Sequence, residues 1–397
     1  MIDFNNLKIA FADKSNADLN RAYFLFKGMS IPFFSKLLTG LSKFALKLHL
    51  PVKPVIKATV YKQFCGGETI EQSQVTIDKL WESKIGTILD FSAEGKESNT
   101  DFERALKQTL ASIEKAAISD SIPFSVFKPT GLCKFSLLQK INDCTSLSAD
   151  DEKEKSEYEA RVNTICQLAH DKNVAVFIDA EESWIQNAVD SIAEKMMLKY
   201  NTKKALIYNT IQLYRNDRIT YLNELLERSE NKFFVGVKLV RGAYHEQEIE
   251  RAKINNYPCP VHLKKSDTDR DYNHALNICI NNIDRIAICA GTHNEDSSQL
   301  LANLLDQKGI EKNDDRIYFS QLLGMSDHIS YNLSVANYNV SKYVPYGPVK
   351  DVMPYLIRRA EENTSIAGQM GRELTNIVAE KQRRKNHLKI TSFLLFI

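Results

Sequence analysis

Phe233–Tyr244 reads FFVGVKLVRGAY, and the change of character half-way along it decides how the chain folds. Phe233 to Leu239 is apolar on both faces and rich in aromatic and β-branched residues, which suits a strand buried from both sides. The second half is a turn carrying cations. Lys238 and Arg241 bracket Leu239 and Val240, Gly242 frees the backbone, Tyr244 follows, and the acidic run HEQEIERAK is helix-prone. A buried strand ending in Lys, Arg and Gly is a place where backbone N–H groups and fixed positive charge meet an anionic or electron-rich ligand. Taken alone, the stretch is better read as a strand end capped by solvated cations.

The same texture recurs on both sides of it. Short apolar runs ending in polar residues occur at GTILDFSAEG (from Gly86), IPFSVFKPTG (from Ile122), VAVFIDAEE (from Val174) and ALIYNT (from Ala205). After the opening stretch come IAICAGTHN (from Ile286), RIYFSQLLG (from Arg316) and NVSKYVPYG (from Asn339), and helix-prone segments separate all of them. Eight strands alternating with helices predict a closed parallel (β/α)8 barrel. An open doubly wound sheet is the runner-up, but it usually carries a glycine-rich first turn, and no GxGxxG or GxxxxGK[ST] occurs among the 15 glycines.

Composition narrows the class. The 397 residues suffice for one large domain or two ordinary ones, and 43% hydrophobic content supplies a core. Lys+Arg at 52 against Asp+Glu at 50 argues against a dedicated nucleic-acid binder. Seven scattered cysteines without a CxxC pair point to reduced thiols in a cytoplasmic-type compartment and away from structural zinc. No run approaches the roughly 20 apolar residues of a membrane span. Two stretches nevertheless suit a membrane surface: Pro32–Leu50, apolar with interspersed lysines, and the basic KQRRKNHLK leading into ITSFLLFI. The expected organisation is a helical extension over residues 1–80, the barrel over 81–365, and a C-terminal helix with a basic and apolar tail over 366–397. The polar, acid-rich insertion Asn142–Ser156 reads as a surface loop.

In a parallel barrel the active site lies at the C-terminal ends of the strands. Those ends carry Glu94, Lys128, Asp179, Gln212, Lys238 with Arg241, Thr292 with His293 and Asn294, Gln321 with Leu322, and Tyr343. The fold aims all of them at one mouth. The closing helix adds YLIRRAEEN, in which Tyr355, Arg358, Arg359 and Glu362 share one side and the arginines stand about 100° apart. Two adjacent arginines, with Lys128 as a third cation, can grip one carboxylate, so the site should bind anions.

These pieces, LDFSAEG, FKPTGL, IDAEE, VKLVRGAY, GTHN, QLLGMSD, SKYVPYG and YLIRRAEEN, occur in the order found in a known family. The chain resembles the single-activity proline dehydrogenases, FAD-dependent enzymes on a distorted (β/α)8 barrel. The resemblance implies oxidation of L-proline to 1-pyrroline-5-carboxylate, with hydride transfer to flavin N5 and electrons passed to a membrane quinone. It makes Arg358, Arg359 and Lys128 the clamp on the carboxylate, and Tyr343, Tyr355, Leu322 and Tyr244 the walls of the ring pocket. Asp179 fixes Lys128, Glu94 is a gate pairing with Arg358, and Lys238 sits near flavin N5. Many bacterial members have arginine at that last position; lysine keeps a cation and removes the bidentate fork. Ala180, Gln212, Val240, Arg241, Gly242, Thr292, His293 and Glu362 fall on the flavin shell, and the resemblance implies noncovalent FAD. A separate pyrroline-5-carboxylate dehydrogenase is expected downstream, with the protein cytoplasmic and peripheral on the inner face of the membrane. From the residues alone, two other readings stand: a Schiff-base aldolase using Lys128 or Lys238, and a noncatalytic barrel that senses an amino acid.

Overall fold

The computed structural model describes residues 2–29, 53–92, 95–365 and 367–394; the side chains of residues 29, 53, 360–370 and 388–394 are outside that description. Glu94, the Pro32–Leu50 segment, and the side chains of Glu362 and of the ITSFLLFI tail therefore lie outside the described residues.

Eight parallel strands close into a barrel in sequence order: β1 (Ile85–Phe91), β2 (Phe124–Phe127), β3 (Ala175–Ile178), β4 (Ile207–Gln212), β5 (Val235–Val240), β6 (Ile286–Gly291), β7 (Ile317–Leu322) and β8 (Val340–Tyr346). The barrel forms because every strand is buried on both faces, inward against the other strands and outward against helices. Inside, Phe124 stacks on Phe177 at 4.4 Å, and Tyr208 and Tyr318 meet Phe124 edge-on. This aromatic plug fills the lower barrel and forms the floor of the mouth above it. The seam between the first and last strands is long: β1 pairs with β8 from Ile85 with Val340 to Phe91 with Tyr346.

Helix ends follow local chemistry. Thr69, Ser98 and Asn294 each cap a helix by accepting a backbone N–H. The insertion expected as a loop is mostly helix. Ser148 and Asp151 form a reciprocal capping box, and the helix Ala149–Lys172 runs on from it. Three acidic residues in its first turn favour that end of the helix dipole.

The flanking segments pack onto the helix that follows β8. Phe11, Leu19, Phe26 and Phe64 share an apolar cluster with Val352, Met353 and Leu356 of the helix Val349–Ser365, and with Ile377 of the helix Ala367–Leu394. Full burial of such side chains contributes about 1.5–3 kcal/mol each. Arg384 ties the same region together by donating to the carbonyls of Phe11 and Lys14 and to Glu380.

Candidate active site

Among the described residues, the strand ends bring Lys128, Asp179, Lys238 and Tyr343 together, whereas Gln321 is in register with Lys342 and bonds Ser330 of the helix after β7. Tyr343, facing inward from β8, stands in register with Leu322 of β7 and Ile88 of β1. Lys238 of β5 is almost completely buried and reaches across the aromatic floor, its ammonium 5.1 Å from the Phe177 ring centroid and 4.8 Å from that of Tyr343. Asp179, just past β3, accepts from Lys238 on one carboxylate oxygen and from the Tyr343 hydroxyl on the other. Burial works to raise the Asp179 carboxyl, but Lys238 and Lys128, with the hydrogen bonds from Lys238 and Tyr343, hold it below the usual carboxylate range. Asp179 is thus a fixed anion and poorly suited to accept a proton.

Lys128 stands between two carboxylates. Its ammonium lies 2.9 Å from each oxygen of Asp90 and 3.3 Å from Asp179. Asp90, the penultimate residue of β1, thus holds Lys128 more closely than Asp179 does. Lys128 and Lys238 are both ion-paired ammoniums, which counts against the Schiff-base aldolase, since that chemistry needs a free amine.

The arginines stand over aromatic rings. The Arg358 guanidinium is 5.8 Å from the ring centroid of Tyr244, and that of Arg359 is 5.2 Å from the ring of Tyr355. Arg359 and both tyrosines are buried and Arg358 is half-buried. Lys128 and Lys238 face two carboxylates, Asp90 and Asp179.

On the side of β4, β5 and β6 the polar residues are mutually braced. Gln212 donates to the carbonyl of Glu181, and Gln321 donates to that of Thr292. Arg241 donates to Asp269 at 2.7 Å, to Ser297 at 2.9 Å and to Thr292, and its guanidinium lies 4.4 Å from the Tyr272 ring. Gly242 has φ +135°, a region that side chains avoid, and an added Cβ would sit 2.4 Å from Tyr214. His293 pairs through Nδ1 with the Ser326 hydroxyl at 2.9 Å. Burial, then Lys342 and Arg359, push its imidazole well below the usual range, so the ring is neutral. Ala180 and Val240 are half-buried beside these residues at the ends of β3 and β5.

Two buried glutamates stitch the loops. Glu181 accepts from both the backbone N–H and the hydroxyl of Thr130, binding the end of β3 to that of β2. Glu248 does the same for Ser183, binding the helix after β5 to the start of the helix Ser183–Tyr200 that follows β3. Neither glutamate, nor Asp90, was assigned a role from the sequence. Asp90 offered the clearest signal, since it stands at a strand end like the other mouth residues.

The proline dehydrogenase family model matches residues 73–372. The chain belongs to the proline dehydrogenase family. It is 33% identical to mitochondrial proline dehydrogenase 1 of Dictyostelium discoideum, an alignment covering 96% of this chain and 75% of that protein. It is 35% identical to the carbapenem antibiotics biosynthesis protein CarD of Pectobacterium carotovorum, over 81% of this chain and 83% of that one. Among solved structures, proline utilization A of Bdellovibrio bacteriovorus, inactivated by N-propargylglycine, shares the fold with a TM-score of 0.70 and 20% identity. That match covers 94% of this chain and 39% of the other, so this chain spans well under half of that protein. Membership makes the chain an oxidoreductase. No helix among the described residues is long and apolar enough to cross a membrane.

Proposed function

We propose that the protein oxidises L-proline to 1-pyrroline-5-carboxylate with noncovalently bound FAD and passes the electrons to a membrane quinone. Two observations support this reading: Arg358 and Arg359 of the closing helix stand over Tyr244 and Tyr355, and Tyr343, Asp179 and Lys238 form one cluster at the strand ends. Two guanidiniums suit one small carboxylate, and the tyrosine faces and Leu322 suit an apolar ring.

The donor set at β4 to β6 fits a flavin. Gln212, Thr292 and a neutral His293 are donors and acceptors suited to the ring system and ribityl chain, and Arg241 is a cation suited to the pyrophosphate. When bound, the flavin supplies the hydride acceptor. The chain's own residues do the rest. Arg358, Arg359 and Lys128 hold the substrate carboxylate, Asp90 and Asp179 fix Lys128, and Tyr343 walls the ring. Lys238 would lie beside the flavin, whose bound form would supply the hydride acceptor. Hydride leaves readily from carbon beside a neutral nitrogen lone pair, so the neutral amine is the reactive form of the substrate.

The deciding experiment is anaerobic addition of L-proline to the purified protein while its visible spectrum is followed. Loss of the flavin band with appearance of the pyrroline product supports the reading. A colourless protein that stays inactive after FAD is added would sink it. A barrel that only senses an amino acid would bind proline and leave the band intact.

A further inference from the structure

β8 alternates as a strand must: Tyr343 faces into the barrel, and Lys342 faces out into a layer otherwise filled by Val340, Val344 and Tyr346. Lys342 is completely buried there. An ammonium at an apolar position demands partners, and Lys342 finds them at the end of β7 and in the connection that follows it. Lys342 Nζ donates to Asp327 at 2.8 Å and to the carbonyls of Met325 and Leu322. The other oxygen of Asp327 receives Lys14 at 3.2 Å, from the segment that precedes the barrel.

This connection needs holding. Gly324 has φ +75° and packs directly on the Gln63 carbonyl, and Ser326 has φ +51°, a conformation that non-glycine residues seldom adopt. Ser326 is also where the connection meets the candidate cofactor shell. Its hydroxyl bonds His293 Nδ1 at 2.9 Å, and its backbone N–H donates to the buried Glu373 of the helix Ala367–Leu394. An imidazole whose Nδ1 accepts the Ser326 proton carries its own proton on Nε2, the nitrogen left for a ligand.

We infer that Lys342, locked to Asp327 and through it to Lys14, is a positioning residue for the flavin site. It fixes the Leu322–Asp327 connection so that Ser326 orients His293 as an Nε2–H donor. The segment containing Lys14 is thereby part of the cofactor site although it touches no cofactor. This inference rests on the FAD reading above.

The test uses the full chain, its Lys342→Met, Lys14→Met and Ser326→Ala variants, and two readouts. The first is FAD affinity, from titration of the cofactor-depleted protein by flavin fluorescence. The second is the His293 tautomer in the cofactor-free protein, from long-range proton–nitrogen NMR of histidine-labelled samples. The expected result is an Nε2–H tautomer in the parent and a mixed tautomer in Lys342→Met and Ser326→Ala. FAD binding should weaken about tenfold in both, as expected when about 1.4 kcal/mol of interaction is lost, and by less in Lys14→Met. If Lys342→Met does not fold, Ser326→Ala and Lys14→Met decide by the same readouts. A parent-like tautomer and parent-like FAD affinity in the folded variants overturn the inference while leaving the flavoenzyme reading intact. A parent protein that binds no FAD overturns both.

Discussion

Asp90 grips Lys128 with both carboxylate oxygens, each 2.9 Å from the ammonium, and so ties the first strand of the barrel to the end of the second. The lysine is fixed before any ligand arrives, and a carboxylate docking beside it meets a preset charge. Asp90→Asn keeps the shape and weakens that hold. The expected effect is a rise in proline KM larger than the fall in kcat, measured by steady-state kinetics with a soluble dye acceptor. Equal losses in the two constants would show that Asp90 serves the chemical step instead.

Asp179 answers two buried ammoniums, Lys238 and Lys128. Removing one partner of a buried ion pair typically costs about 3–5 kcal/mol. Asp179→Ala should therefore lower stability by about that amount in urea denaturation. A change within the scatter of ordinary surface substitutions would mean that water already screens the pair.

Arg359 is buried beside Tyr355. Losing its charge-assisted bond to a carboxylate is worth about 1.5–3 kcal/mol, or roughly a tenfold or greater rise in proline KM for Arg359→Met. Arg358→Met should act through the other oxygen. Unchanged KM in both variants would show that the carboxylate binds elsewhere.

His293 makes folding sensitive to mild acid. Burial, Lys342 and Arg359 keep the imidazole neutral in the folded protein, whereas in the unfolded chain it gains a proton below about pH 6.5. The unfolded state then binds more protons, so this residue's contribution is present above about pH 6.5 and is lost as pH falls below it. His293→Gln, which cannot titrate, should show a shallower loss of stability between about pH 7.5 and 5.5 than the parent in urea midpoints. Parallel curves would mean that the folded state already accommodates the charged ring.

The membrane contact is open to a direct test. Deleting Ile390–Ile397 removes the apolar end of the basic tail, where each buried CH2 is worth about 0.8 kcal/mol at a bilayer. The truncated protein should keep dye-linked activity and lose both sedimentation with anionic vesicles and quinone reduction. If vesicle binding and quinone turnover survive the deletion, the contact lies in another part of the chain.

The barrel was legible because a parallel strand buried on both faces has to be a continuous apolar run, and each run ended in a residue whose polarity stood out. Arg358 and Arg359 were legible for a related reason, since helical spacing alone puts them together. The buried carboxylates were harder. Glu181 and Glu248 sit in acidic stretches that read as solvated, and their partners, Thr130 and Ser183, are 51 and 65 residues away. Nothing local announces such a pairing. Lys342 did leave a trace, because strand alternation places it opposite Tyr343, on the face that a barrel reserves for apolar residues. The acid-rich insertion was misread because its polarity was taken for a loop, although Ser148 followed three residues later by Asp151 is the start of a helix.

The seam between β1 and β8 bears on how the protein is made. Ile85 to Phe91 leave the ribosome before the other strands, and their most extensive partner, Val340 to Tyr346, is synthesised only after all of them. Until then β1 can be satisfied on one edge alone, by the short pairing of Ile88–Asp90 with Phe124–Val126. Closing the ring is a contact between distant parts of the chain, which is intrinsically slow. During that delay an apolar strand edge is open to other nascent chains. High-level expression should therefore favour inclusion bodies unless synthesis is slowed or chaperones are supplied.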